Sequence, residues 1–527
     1  MKTNTSMISK ALGEHSVPIR ENLRQRAYLN SMASWVDTFT RMVVAFFLNP
    51  YIVSTLGSIF YGVWQILSQL NSYMAMADLQ TSTTLKWVIA KDRTIASKIE
   101  LRQSVTAALS ANIIILPIYL IAGGIIVWLA PYVSSVEEQH FTIVRITSAL
   151  LVLAFIITQV LFIFDQVLAA MNLSYKSIVI RFLSITLGGV LTACMLYFGY
   201  GLPGMSVALC TVSLVTGISI GWIVLANVSW FGFARVTWMQ VISFIKLTGW
   251  FMALKIVSTA NFAMDMILLG YLAGPRYVTV YTLSRYLMSA ASSFCSSAFN
   301  AATPGLSRLM GEKDYAKLLT ARGQLLSLLW VGLTSIGTVV CLWNKSFIGI
   351  WTSPEYFAGQ IETCLIVLLF ILKSIQAVDG SIIVMALEAR KSTILGAISV
   401  SITIFFAWLL IPLYQTMGLL LSLLAGIISM CISYSYYASR LTQRKASFFI
   451  STYLSRTPVV CIILLAISGF MGNYVKVNSW SMLAGVMSAT IIIVASILWF
   501  SAMSYDDRRN AIKNITSISF LNKAEIS

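Results

Sequence analysis

Residues 27–62 read AYLNSMASWVDTFTRMVVAFFLNPYIVSTLGSIFYG. The stretch is apolar enough to cross a bilayer, yet it carries Asp37 and Arg41 near its middle, breaks at Asn49-Pro50 and turns at Gly57 and Tyr61-Gly62. A charge at bilayer depth costs about 2.5–3.5 kcal/mol on insertion scales, so it is kept where it faces protein or water. Residues four apart share a helix face, and Asp37 and Arg41 can neutralise each other there. Either the pair satisfies itself with no further role, or this helix lines something polar.

The rest of the chain makes the bilayer reading general. Of 527 residues, 58% are hydrophobic and only 10% are charged, far more apolar surface than a soluble domain buries. An all-α polytopic membrane protein is predicted. The net charge of +17 then has a simple cause, retention of Lys and Arg in cytoplasmic loops, and is no evidence for a nucleic-acid partner. Residues 1–26 are polar and lack the apolar core of a cleavable signal, so the first helix inserts the chain and the amino terminus is expected in the cytoplasm.

The seven cysteines show no CxxC or metal spacing and read as small packing residues. The only histidines, His15 and His140, lie outside the spans, which argues against histidine catalysis, a zinc site or an intramembrane histidine relay. No GxxxxGK[ST] loop is present, so ATP is not the expected direct energy source. No metal, no cofactor and no catalytic residue is expected.

At about twenty apolar residues per span, roughly fourteen transmembrane helices are predicted. They centre on Arg41, Leu70, Ile115, Ile156, Leu187, Val215, Ser258, Met288, Val331, Ile371, Ile402, Ala425, Leu465 and Ile492. With the amino terminus inside, most of the 36 Lys and Arg fall in cytoplasmic segments, including Lys313, Lys317 and Arg322, against Arg276, Lys345 and Lys476 in outside loops. That bias supports the span count and puts both termini in the cytoplasm.

An internal repeat recurs at an offset of about 215 residues. FFLNPYIVSTLGSIFYGVW around Gly57 answers to ILLGYLAGPRYVTVY around Gly274; Lys176-Ser177 answers to Lys391-Ser392, and GLPGMSVAL near Gly204 to TMGLLLSLL near Gly418. The chain therefore reads as an amino-terminal tail (1–26), a first six-helix bundle (27–235), a second (236–440), two extra helices (441–505) and a polar tail (506–527). Substrate sites in such repeat proteins lie between the repeats near mid-membrane.

Four basic residues fall near the middle of spans: Arg41, Lys255, Arg285 and Lys373. Such cations need partners or an aqueous cavity. Together they predict a cationic chamber suited to a phosphate or pyrophosphate, which Arg binds through paired hydrogen bonds and Lys as a point charge. The plain alternative is internal pairing: Asp37 with Arg41, Asp265 with Lys255 or Arg285, and Asp379 with Lys373. Four cations against three carboxylates leave pairing incomplete. Asp165 and Glu388, near helix ends, are expected to be solvated. Tyr61, Trp64, Tyr73, Tyr271, Tyr277, Tyr281 and Tyr286 are mostly explained as an interfacial belt.

The run LNPYIVSTLGSIFYGVW followed by ADLQTSTTLKWVIAKD, with GLPGMSVAL and AGPRYVTVY, resembles the Wzx-type polysaccharide flippases of the multidrug/oligosaccharidyl-lipid/polysaccharide exporter superfamily. Gln80 follows Asp78-Leu79 where that family usually has glycine. The resemblance implies a bacterial inner-membrane flippase, not an enzyme, that moves undecaprenyl-pyrophosphate-linked oligosaccharide by alternating access for O-antigen, capsule or exopolysaccharide. Its partners would be lipid-linked oligosaccharide and membrane lipids, with a polysaccharide polymerase and chain-length proteins as candidates. Family cavity arginines on the first and eighth helices match Arg41 and Arg285; the second span has no basic residue. Substrate binding is thus expected at Arg41, Lys255, Arg285 and Lys373, and gating or charge pairing at Asp37, Asp78, Asp265 and Asp379. The rivals are a multidrug exporter of the same superfamily, disfavoured by the excess of mid-span cations, and a membrane glycan polymerase or ligase, disfavoured by short outside loops.

Overall fold

The computed structural model describes residues 17–77, 81–92, 97–386, 388–445 and 456–501. Among them there is no strand. The helices are α1 (Val17–Ala77), α2 (Thr81–Asp92), α3 (Lys98–Val133), α4 (Phe141–Ala170), α5 (Ile178–Tyr197), α6 (Gly201–Asn227), α7 (Trp238–Ala273), α8 (Pro275–Ser284), α9 (Tyr286–Gly311), α10 (Tyr315–Trp351), α11 (Gln360–Met385), α12 (Ala389–Leu441), α13 (Arg456–Met471) and α14 (Trp480–Ser501). All fourteen predicted span centres fall inside helices. Nine helices among the described residues are long and apolar enough to cross a membrane by length and composition.

Two of the helices are too long for one crossing. At 1.5 Å per residue the 61 residues of α1 would extend about 90 Å, three times a hydrocarbon core of about 30 Å. The chain bends at Gly57, whose φ of 77° and ψ of 170° suit a residue without a Cβ. The 53-residue α12 breaks at Gln415 (φ 46°, ψ −117°), three residues after Pro412. Gly274, the repeat partner of Gly57, has φ 99° and ψ 163°. The sequence repeat is therefore also a repeated turn.

The chain divides into two units. The first comprises residues 1–55, 70–131 and 137–253. In it α4 packs on α6 and α2, and α5 on α6, around a core that includes Leu85, Val105, Ala108, Val167, Val224 and Trp230. The second comprises residues 56–69, 132–136 and 254–527. Its hub is α10, which contacts α9, α11, α13 and α14, while α11 packs on α12. Residues 56–69 thus belong to the second unit although the chain on either side of them belongs to the first.

Candidate functional site

The site is built where the two repeated turns meet inside the second unit. The helical segment after Gly57 crosses α8 near its start, and Thr279 donates its hydroxyl hydrogen to the Ser58 carbonyl at 2.5 Å. Gly62 makes the closest approach: a Cβ there would overlap the Pro275 carbonyl group, 2.6 Å from its carbon and 3.0 Å from Thr279 Oγ1. Only glycine leaves that space open. The crossing fixes Tyr61, Gln65 and Gln69 beside α7 and α8, with Gln69 Nε2 reaching Met266 Sδ at 3.5 Å.

Arg285 lies at the joint between α8 and α9, with φ −86° and ψ −5°. Polar contacts pin this joint from outside. Asn344 on α10 donates to the Ser284 carbonyl at 3.0 Å, and Ser284 Oγ accepts from the Ala358 amide at 2.9 Å. Its side chain is thereby aimed at α7, where Nη1 donates to Asp265 Oδ2 at 2.5 Å and to Tyr281 Oη at 3.1 Å. Asp265 is buried and also accepts from Tyr281 Oη at 3.0 Å and from the Met266 amide at 2.8 Å. The guanidinium lies over the Tyr281 ring, 4.7 Å from its centroid.

Lys373 on α11 is within electrostatic range of both Asp265 and Arg285. Among the described residues, Arg285 is thus ion-paired with Asp265, and Lys373 stands near both without an ion pair of its own. Both described side-chain hydrogen bonds of Arg285 use Nη1, so the Nη2 and Nε edge of its donor fork makes no hydrogen bond among the described residues. Tyr61 is fully buried, and its hydroxyl makes no hydrogen bond among the described residues. Burying a hydroxyl unpaired costs about 1–3 kcal/mol. Arg285 and Tyr286 lie within electrostatic range of it.

The other predicted site residues are distributed differently. Asp37 and Arg41 form an ion pair at 3.0 Å in the first unit, with the Arg41 side chain 64% exposed. Asp78 and the side chain of Lys255 lie outside the described residues. The expected Asp379 pairing with Lys373 is corrected: Asp379 takes Arg322, with Nε to Oδ1 at 2.6 Å and Nη2 to Oδ2 at 3.0 Å, and accepts from Ser435 at 2.8 Å. Both partners are buried, so Arg322 lies in the packed interior and is not a loop residue. A planar guanidinium on the neighbouring α10 offers the bidentate fit that an ammonium six residues away on the same helix cannot.

Asp165, expected in solvent, instead pairs with Arg181, which also donates to Ser177 at 3.1 Å. Tyr61 and Tyr281 are core residues and not part of an interfacial belt, while Tyr271 and Tyr277 are exposed. The hydroxyls of Tyr61 and Tyr281 were the missed polar groups of the cluster. Both follow a repeated turn, but at unequal distances, four residues after Gly57 and seven after Gly274, so the repeat gave no signal that they would meet.

Residues 94–346 match a family described as "Polysaccharide biosynthesis protein". A search of curated proteins finds no match. The fold is similar to that of the lipid II flippase MurJ in an inward closed conformation (TM-score 0.63, 11% identity, covering 89% of this chain and 98% of that one). It is also similar to an inward-facing multidrug resistance MATE family transporter of the MOP superfamily (TM-score 0.60, 13% identity, 77% and 95%). A third likeness is to the Vibrio cholerae MATE transporter VcmN in the bent form (TM-score 0.54, 15% identity, 82% and 98%).

Proposed function

From a polytopic membrane protein with the fold of the MOP superfamily, matched over residues 94–346 by a polysaccharide-biosynthesis family, we propose a flippase for a lipid-linked oligosaccharide carried on a pyrophosphate. The observation that carries this reading is the buried ion pair of Arg285 with Asp265, with a second basic side chain, Lys373, near both and one carboxylate between the two. A buried cation is stable only with counter-charge or water nearby, and a phosphate headgroup supplies the missing negative charge. Arg41, half of an exposed pair with Asp37, and Lys255 are proposed to add to the attraction.

In the empty protein Asp265 holds Arg285 in place. Binding of the headgroup adds an anion beside this pair, and it biases the conformational equilibrium only so far as two states bind it unequally. By this proposal transport needs no covalent step, and the protein is not an enzyme. The inner bacterial membrane, cytoplasmic termini and a role in O-antigen, capsule or exopolysaccharide export belong to the same proposal. So does contact with a polymerase and chain-length proteins.

The test is lipid-linked glycan accumulation in cells lacking this chain, complemented with wild type or Arg285→Ala. The proposal expects lipid-linked oligosaccharide trapped on the cytoplasmic face, relieved by wild type and not by an equally expressed Arg285→Ala. Unchanged glycan pools together with a gain in drug sensitivity would favour a multidrug exporter, the activity named for the MATE structures of similar fold.

A further inference from the structure

We propose that Tyr61 is a substrate-binding residue whose hydroxyl, with the unused edge of the Arg285 guanidinium, holds a phosphate oxygen of the headgroup. The inference rests on the anion reading of the Arg285 cluster and adds to it a residue from the first repeat.

Three observations converge on it. Tyr61 is completely enclosed, yet its hydroxyl has no hydrogen-bond partner among the described residues. Gln65, one turn further along the same helix, stands close enough to interact with it but not in hydrogen-bonding geometry. A phenylalanine would fill the same space without stranding a polar atom, so packing alone does not account for the hydroxyl.

The second observation is the direction of Arg285. Its Nη1 is occupied by Asp265 and Tyr281, while Nη2 and Nε are not hydrogen-bonded among the described residues. Those two nitrogens form one edge of the planar fork that suits two oxygens of a phosphate. The phenol lies within electrostatic range of this guanidinium. A phosphate oxygen accepting from both would satisfy the stranded hydroxyl and complete the fork at once.

The third observation is how Tyr61 is held. Its neighbour Gly62 sits against the Pro275 carbonyl and Thr279, so the phenol is positioned by backbone contact and does not depend on a bond to its own oxygen. A hydroxyl held in place but unpaired is organised for a ligand.

The experiment uses the full-length protein in detergent, with farnesyl pyrophosphate as the probe. Binding is measured by calorimetry, and unliganded thermal stability is measured separately. Wild type is expected to bind, Tyr61→Phe to bind about tenfold more weakly, as for one lost hydrogen bond to a charged group, and unliganded Tyr61→Phe to melt at or above the wild-type temperature. Equal affinity in wild type and Tyr61→Phe would overturn this assignment alone. An equal fall in melting temperature in Tyr61→Phe and Gln65→Ala would also overturn it, because the two side chains would then be satisfying each other. No binding by wild type would overturn the anion reading and this assignment together.

Discussion

The buried pair of Arg322 and Asp379 shows what a charge in this interior requires. Both oxygens of the carboxylate are used, by two guanidinium nitrogens and by Ser435. Removing one partner leaves the other charge uncompensated, so Asp379→Asn should lower stability by about 3–5 kcal/mol. The double variant Arg322→Met with Asp379→Leu should recover most of that loss, because two apolar side chains strand nothing. Thermal unfolding in detergent checks both; a double variant as unstable as the single one would show that the pair is held for something beyond charge balance. Asp379 was legible as an intramembrane carboxylate, but its partner was not. Arg322 stands 57 residues away in sequence, at a position where hydropathy marks only the approach to a span. The internal repeat does not supply the answer either. Asp165, 214 residues before Asp379, also pairs with an arginine, but with Arg181 of α5. The repeat keeps the carboxylate and changes the helix that answers it.

Among elements, the breaks matter more than the helices. Gly57 and Gly274 were readable because glycine is what a positive φ asks for, and both hold one (77° and 99°). The crossing that follows them was not readable, since nothing in a single hydropathy pattern says that Gly62 will face Pro275. Gly62→Val should displace the segment from α8 and cost about 1–3 kcal/mol, the usual range for overpacking, with loss of the Thr279 to Ser58 hydrogen bond. Thr279→Val should cost only about 1 kcal/mol, since it removes the bond without the clash. If the two variants destabilise equally, the close approach at Gly62 is not what seats the segment. The break in α12 runs the other way. Gln415 has φ 46° and ψ −117°, a sparsely populated conformation that costs a residue with a side chain about 1–3 kcal/mol. Gln415→Gly should therefore raise stability by up to about 1 kcal/mol once the greater flexibility of glycine in the unfolded chain is subtracted. Pro412 signalled a break nearby, but not that a glutamine would carry the strain.

For the whole molecule, the question the fold leaves to charge is which end faces which side. The 37 residues of α10 extend about 55 Å, more than one hydrocarbon core of about 30 Å. Lys313 precedes its amino-terminal end, where Asp314 caps the helix through the Lys317 amide at 3.2 Å. Glu355 follows its carboxyl-terminal end in a short 3-10 turn. A helix that crosses once must place these two positions on opposite sides, whatever the orientation. The basic residues then choose between the alternatives: Arg308, Lys313 and Lys317 crowd the Lys313 end, and positive charge is retained in the cytoplasm. In a background with the seven cysteines replaced, Lys313→Cys should resist a membrane-impermeant maleimide in intact cells, and Glu355→Cys should react. Labelling of both or of neither would mean that α10 is not a single crossing, a failure of the fold. Labelling of Lys313→Cys alone would keep the fold and invert the molecule, and the proposed transport direction would invert with it. Hydropathy and loop charge carry this much because lipid and the insertion machinery act on segments one at a time. Which segments pack together, such as residues 56–69 with the second unit, is decided by contacts that no single segment records.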